Sequence, residues 1–488
     1  MNYLEKNYGI SPAVGVILLI GITAAVATLA GIVLLDIGED GLTQTAQAGV
    51  EVNETPDGVE VTWNTDSNAE EVIVQANGQR YRLNSVNDSL TLGLDEGTNV
   101  SVIGVVDGEE SVISETTTES DTGDGTVENY NPGSTETVSG TVSINPPIDG
   151  AVVRAVKNDT VTATTTTDGS GNYSINAPEN SRLEVVVDGF TYDSGSTTFY
   201  GSAVREVGSD FSESVNVDFV EADAESVSVN GSTVLVGSES YDGVKTIGTV
   251  EQLQAIKSDL SSDYVLLNDI DASGTSSWNS GNGFEPIGEP GPGNIFQGTF
   301  DGNNNTINGL FISRSSETFV GLFGRTQGDI ENVRVEDADV TGGTFTGILA
   351  GDGNINIVNS SATGSVSSGV YAGGLIGDSN GIVRDSFVDV DVSGGADASG
   401  SLVASGDVSI TDSYGLGTVD GGSSGHTGGL LGQGDASIIK SYYSGSVTGS
   451  SATGTLTGGL IGSGDTDITQ SYVTGDVTSA SDGSTGGL

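Results

Sequence analysis

From residue 320 onward the chain keeps returning to one short phrase. VGLFG (320–324), TGILA (346–350), GGLIG (373–377), GSLVA (400–404), GGLLG (428–432), GGLIG (458–462) and a last GGL (486–488) follow one another. The residue before each Leu or Ile stands at 321, 347, 374, 401, 429, 459 and 487, so the steps are 26, 27, 27, 28, 30 and 28 residues. Between them recurs I/V-x-x-S-aromatic, as in VRDSF (383–387), ITDSY (410–414), IIKSY (438–442) and ITQSY (468–472). A short G-x-V strand follows, as in Gly417–Val419 and Gly445–Val447. A unit this short cannot bury an apolar face alone, but stacked copies can. Three short strands separated by glycine turns make one coil of a parallel β-helix, and six intervals of ~4.8 Å give a rod of about 29 Å.

Before the repeats comes IGTVEQLQAIKSDLSSDYVLLNDIDASG. Thr249 and Gln252 have capping-box spacing, and Leu253, Ile256 and Leu260 form one helical face. A helix over 249–260 is expected to close the first coil and hide its open edge. NDID (268–271), FEPIG (284–288) and FQGTFDGNNNTINGL (296–310) follow. With the repeats, this order resembles GLUG-motif surface proteins, which implies a right-handed parallel β-helix. The lead-in and capping segment is then 244–319 and the GLUG repeats 320–488. A repeat rod needs a covered terminal unit, so the natural chain is expected to continue past Leu488 with a further coil and a cap.

The once-per-coil aromatics Phe387, Tyr414, Tyr442 and Tyr472 stand four residues after Val383, Ile410, Ile438 and Ile468. Even spacing along a strand puts both on one face. The aromatic column is therefore expected inside the rod, with the preceding serine outside.

At the other end, Pro12–Leu35 reads PAVGVILLIGITAAVATLAGIVLL, an uncharged run long enough to span a bilayer as a helix. It is too long for the apolar core of a cleaved secretory signal. KNYG-ISPAVGVILLIG resembles the N-terminus of archaeal type IV pilin-like proteins. The resemblance implies a leader at 1–9, cleavage by prepilin peptidase between Gly9 and Ile10, and a pilin-like or transmembrane helix over 10–36. Val14 stands where bacterial members carry a glutamate. Gly15, Gly21, Ala25 and Gly31 are small residues suited to close helix packing, in a membrane or against other pilin subunits.

Between the two ends lie strand-like modules. Residues 49–115 alternate apolar and polar, with turns at PDG (56–58), NG (77–78), DEG (95–97) and DG (107–108). This pattern resembles a fibronectin type III-like β-sandwich with Trp63 in its core. Residues 116–135 have little to bury and read as a linker. Over 136–220, VSGTVSINPPIDGAVVRAV, TTTTDGSGNYSI and LEVVVDGF resemble a carboxypeptidase regulatory-like β-sandwich closed by Tyr173. Residues 221–243 read as a second linker or one edge strand.

With 67 acidic and 14 basic residues the chain carries −53 charges, which excludes a nucleic-acid partner and suits high salt. It has no cysteine, so its core must hold without disulfides. His426 is the single histidine, and the basic residues 245, 257, 314, 325, 334, 384 and 440 are scattered over the repeat half. No His-based zinc site, Ser-His triad or lyase-type cationic cluster can be assembled from these. Asp435, Asp465 and Asp467 are read as standing at matching turn positions of successive repeats, where a structural role is the simpler reading. No cofactor or metal is expected. The expectation is a mainly β, non-catalytic protein on the outside of a halophilic cell, held by its N-terminal helix. It would present the β-helix for adhesion, with cell-surface glycans as candidate partners. The alternatives are a structural subunit of a type IV pilus-like filament and, third, a polysaccharide-acting surface enzyme.

Overall fold

A computed structural model describes Leu29–Ala30 and, with interruptions, residues 49–486. Among the described residues no helix is long and apolar enough to cross a membrane. Of the expected N-terminal helix only Leu29–Ala30 is described, as a two-residue strand pairing antiparallel with Glu51 and Val52. The cleavage junction Gly9/Ile10 and the small residues Gly15, Gly21, Ala25 and Gly31 lie outside the described residues.

The chain divides into two compact units. The first is residues 1–137 with 155–163 and 176–181; the second is the remainder up to 488. In the first, a four-stranded sheet holds Gln79–Leu83, Glu71–Ala76, Asn99–Val106 and Glu109–Thr117 in that order. A five-stranded sheet orders Leu29–Ala30, Gly49–Thr55, Gly58–Thr65, Ser89–Leu92 and Val127–Asn131. Alternating Val59, Val61 and Trp63 and their partners Leu90 and Leu92 are buried in one cluster with Val72, Val74, Val100 and Val102. The expected linker 116–135 therefore contains a strand, since 127–131 pairs with 89–92.

In the second unit, Tyr173 is buried and donates its hydroxyl to the Val215 carbonyl at 2.6 Å. The DGSG turn before it is tied by Asp168, whose carboxylate accepts the N–H groups of Ser170 and Asn172 at 2.8 and 2.9 Å. Residues 221–243 are not a free linker. Glu225–Val229 and Ser232–Ser238 form an antiparallel pair, and Leu235–Ser238 lies parallel to Phe199–Ser202. Their Val227, Val229, Val234 and Val236 join the core that runs on through the rest of the unit.

The helix is shorter than expected: Val250–Ala255, followed by a 3-10 turn, Ile256–Ser258. Thr249 caps it by accepting the Gln252 N–H at 3.3 Å, while the Gln252 side chain accepts the Gly248 N–H at 2.9 Å. Leu253 and Ile256 are fully buried between the valines above and the first coil.

The repeats form a β-solenoid of about 6 turns. Each coil has four corners, not three strands. We number its sheets 1 to 4 in chain order. One coil runs Ile382–Arg384 (sheet 1), Phe387–Gly394 (sheet 2), Ala398–Gly400 (sheet 3) and Val403–Ser405 (sheet 4). Pairing between coils is parallel throughout; in sheet 4, Phe323, Ala350, Ile376, Val403, Leu431 and Ile461 stack in turn. The buried leucines of the repeated phrase are Leu322, Leu349, Leu375, Leu402, Leu430 and Leu460. In TGILA the phrase is therefore offset by one residue: Ala350, not Leu349, pairs with Phe323, so Leu349 takes the place expected for Ile348.

The corner between sheets 1 and 2 explains the recurring serine. At each coil one residue takes left-handed backbone: Asn332, Asn359, Asp385, Asp412, Lys440 and Gln470, with φ between 46° and 54°. Asn and Asp tolerate this region best among residues with a β-carbon. The next residue, Ser360, Ser386, Ser413 or Ser441, is buried. Ser413 Oγ donates to the Thr411 carbonyl at 2.8 Å and accepts the Ser386 N–H at 3.2 Å; its own N–H donates to Ser441 Oγ at 3.1 Å. The serines thus carry hydrogen bonds from coil to coil where the backbone ladder is interrupted. Ser413→Ala should cost about 1–3 kcal/mol, because it leaves the buried Ser386 N–H without its acceptor. Chemical unfolding of the full chain would measure this, and Ser413→Thr, which keeps a hydroxyl, should recover most of it.

Candidate functional site

That same corner decides where the aromatic column points. The left-handed residue breaks the alternation, so counting by twos from Val383 to Phe387 fails. Val383, Ile410 and Ile438 are buried as expected. Phe387, Tyr414 and Tyr442 are only half-buried and Tyr472 is 52% exposed. The residues facing inward are the next ones along, Val388, Gly415, Tyr443 and Val473. The expectation of an inward ladder with outward serines is therefore reversed on both counts: the serines are buried and the rings stand outside.

The outward rings form a regular comb on sheet 2. Successive centroids are 5.0, 4.8 and 5.1 Å apart and the planes are within 6° of parallel. Their faces cover one another, leaving ring edges and the hydroxyls of Tyr414, Tyr442 and Tyr472 toward solvent. Burial, then the charge of the neighbouring tyrosine, pushes the Tyr414 and Tyr442 phenols up, so both remain donors. Two residues further along lies a second outward column: Asp389, Leu416, Ser444 and Thr474, in which Thr474 Oγ1 lies 2.8 Å from Ser444 Oγ. Asp385, Asp391 and Asp412 flank the comb and are exposed; Thr418 donates to Asp391 at 2.7 Å.

A second stack sits on sheet 3 of the earlier coils. Phe319, Phe345 and Tyr371 are 5.4 and 4.8 Å apart and nearly parallel, with Arg325 5.0 Å over Phe319. The column continues as Ala398, His426 and Leu456, so the continuous Phe/Tyr stack ends where the sheet 2 comb begins. His426 Nδ1 accepts the Leu456 N–H at 3.1 Å.

The turn carboxylates have a structural role. Asp407 accepts the Asp435 N–H at 3.0 Å and Asp435 accepts the Asp465 N–H at 2.9 Å. Asp467 is not in this column; it pairs with Ser437 on sheet 1. Among the described residues no group of three or more His, Asp or Glu is placed to hold a metal ion. Six of the seven basic residues of the solenoid half are spread into separate ion pairs: Lys245–Asp259, Lys257–Glu285, Arg314–Glu317, Arg325–Asp352, Arg384–Asp385 and Lys440–Asp412. A cleft of about 370 Å³ lies between Arg182, Val204 and Tyr241 on one side and Tyr264, Leu267 and Glu331 of sheet 1 on the other.

No family model matches the chain. Over 138 residues, 27% of this chain, it is 40% identical to halomucin of Haloquadratum walsbyi (strain DSM 16790 / HBSQ001). That stretch spans 2% of halomucin's length. Among solved structures it is similar to a Bacteroides ovatus chain named as a candidate immunoglobulin A1 protease. The match covers 51% of this chain and 85% of that one, at 21% identity and a TM-score of 0.41.

Proposed function

We propose that this chain is a non-catalytic protein of the outer surface of a halophilic archaeal cell, held by its 10–36 segment and making contact through the solenoid. The observation that carries the reading is the outward aromatic comb. Three of its rings are half-buried and Tyr472 is 52% exposed, so the comb gains less from burial than core rings do while standing in register on the outside of a strongly acidic chain. The likeness to halomucin of a haloarchaeon and the −53 charge support the setting. The dispersal of the basic residues into separate ion pairs favours contact over chemistry.

The test uses cells that make the chain. Its mature form, extracted whole from the cell envelope, should begin at Ile10. Replacing Tyr414, Tyr442 and Tyr472 together by serine should leave export intact and lower attachment of those cells to surfaces and to each other. Unchanged attachment at full export would refute the reading. Filaments built mainly from this chain would show instead that it is a pilus-like subunit.

A further inference from the structure

The geometry of sheet 2 points to a ligand class. We infer that its outer face is a track for a neutral, extended pyranose polysaccharide lying along the solenoid axis, one sugar unit per coil. This rests on the surface-contact reading and names what the surface meets.

Three observations carry it. The first is the step. The rings of Tyr414, Tyr442 and Tyr472 are parallel and 4.8 and 5.1 Å apart, so their hydroxyls repeat at the coil spacing. A pyranose in an extended, equatorially linked chain advances by nearly that distance, so each unit meets one hydroxyl. A peptide strand laid the same way advances only about 3.3 Å per residue and falls out of register after one coil.

The second is what the rings offer. The faces of Tyr414 and Tyr442 are covered on both sides by neighbours within 6° of parallel, so sugar rings cannot stack on them. What remains is a row of phenol donors at Tyr414, Tyr442 and Tyr472 and, two residues away on the same face, a second row of Asp389, Leu416, Ser444 and Thr474, whose hydroxyls stand beside the last two phenols. Paired rows of this kind suit the equatorial hydroxyls on one edge of a sugar chain.

The third is charge. Asp385, Asp389, Asp391 and Asp412 edge the comb, opposed by Arg384 and Lys440 only at 3.8 Å. A polyanion such as a uronate or sulfated glycan is repelled, while an uncharged chain is not.

The experiment titrates the full chain in concentrated salt with β-1,4-linked glucose dimer, tetramer and hexamer, and with the α-1,4-linked series, which coils. Affinity for the β-linked probes should rise from dimer to tetramer and then level off, and the α-linked series should bind more weakly. Tyr442→Phe keeps the stack and removes one hydroxyl. It should lower tetramer affinity roughly fivefold, the worth of one hydrogen bond, without moving the melting temperature. Equal affinity at all lengths, equal binding of the coiled series, or an unaffected Tyr442→Phe would overturn the inference. Cells that still attach through the comb while no oligosaccharide binds would overturn this inference alone; attachment unaffected by the triple serine change would remove the surface-contact reading beneath it.

Discussion

Tyr443→Ala should destabilise the solenoid by about 3–5 kcal/mol, the range for truncating a large buried aromatic, whereas Tyr442→Ala next to it should cost no more than about 1 kcal/mol. Tyr443 is fully buried and is the largest such side chain among the described residues. It fills a space that three glycines of neighbouring strands leave open. A β-carbon at Gly415 would come 3.0 Å from its ring, one at Gly429 2.6 Å, and one at Gly445 2.6 Å from its hydroxyl. Gly415 is Tyr443's own coil-to-coil partner, so the column Val388, Gly415, Tyr443, Val473 sets a small residue beside a large one. The hydroxyl lies 3.2 and 3.1 Å from the carbonyls of Gly417 and Ser446 and donates into that pair, so truncation also removes a buried donor. Three glycines cannot move in to fill the gap, which keeps the cavity open and the cost high. Tyr442 loses only stacking with Tyr414 and Tyr472, much of which is already wet. Guanidinium unfolding of both variants reads the difference directly. Equal losses would mean that both rings face the interior and that the corner geometry is wrong.

The pair also shows what the sequence could and could not reveal. The coil was legible because its leucines and glycines recur at nearly constant steps, and an inward apolar column leaves the strongest periodic signal. The facing of the rings was not, because parity was carried through a residue that does not keep it. Asp385, Asp412, Lys440 and Gln470 sit at positive φ, and none is glycine. The clue was present in earlier coils, where the same slot holds Asn332 and Asn359, residues that tolerate left-handed backbone. The one-residue offset at Leu349 was hidden because Ile348 is also apolar and serves the pattern equally well. The strand at 127–131 escaped because VENYN is short, and 221–243, read as a linker or one edge strand, holds two strands; their pairing with 89–92 and 199–202 is decided by partners far along the chain. The aromatic comb itself was visible as a repeat; its role turned on one dihedral angle per coil.

The other large effect belongs to the first glycine of each phrase. Gly373, Gly400, Gly428 and Gly458 stack in one column at the corner from sheet 3 to sheet 4. A β-carbon on Gly428 would overlap the carbonyl oxygen of Leu431 in its own turn and the N–H of Gly462 in the next coil. Gly373, Gly400 and Gly458 meet the carbonyls of Ile376, Val403 and Ile461 in the same way. These obstacles are backbone, fixed by parallel pairing on both sides, so no side chain can yield. Gly428→Ala should therefore reach about 3 kcal/mol, the upper end of overpacking costs. The second place holds Ser401 in one coil, but at Gly374 and Gly429 a β-carbon would meet the backbone carbonyls of Ser401 and Gly459 just as closely. Because each coil touches only its neighbours, the damage should be local. Hydrogen exchange should show lost protection in the coils around 428 and beyond, with the coils at 264–350 little changed. Gly274→Ala is the control: it has open space around it and ordinary φ, and should be neutral or stabilising by up to about 1 kcal/mol. A Gly428→Ala chain that melts with the wild type would mean that the turn can open without disturbing the stack, and that glycine recurs there for some reason other than contact.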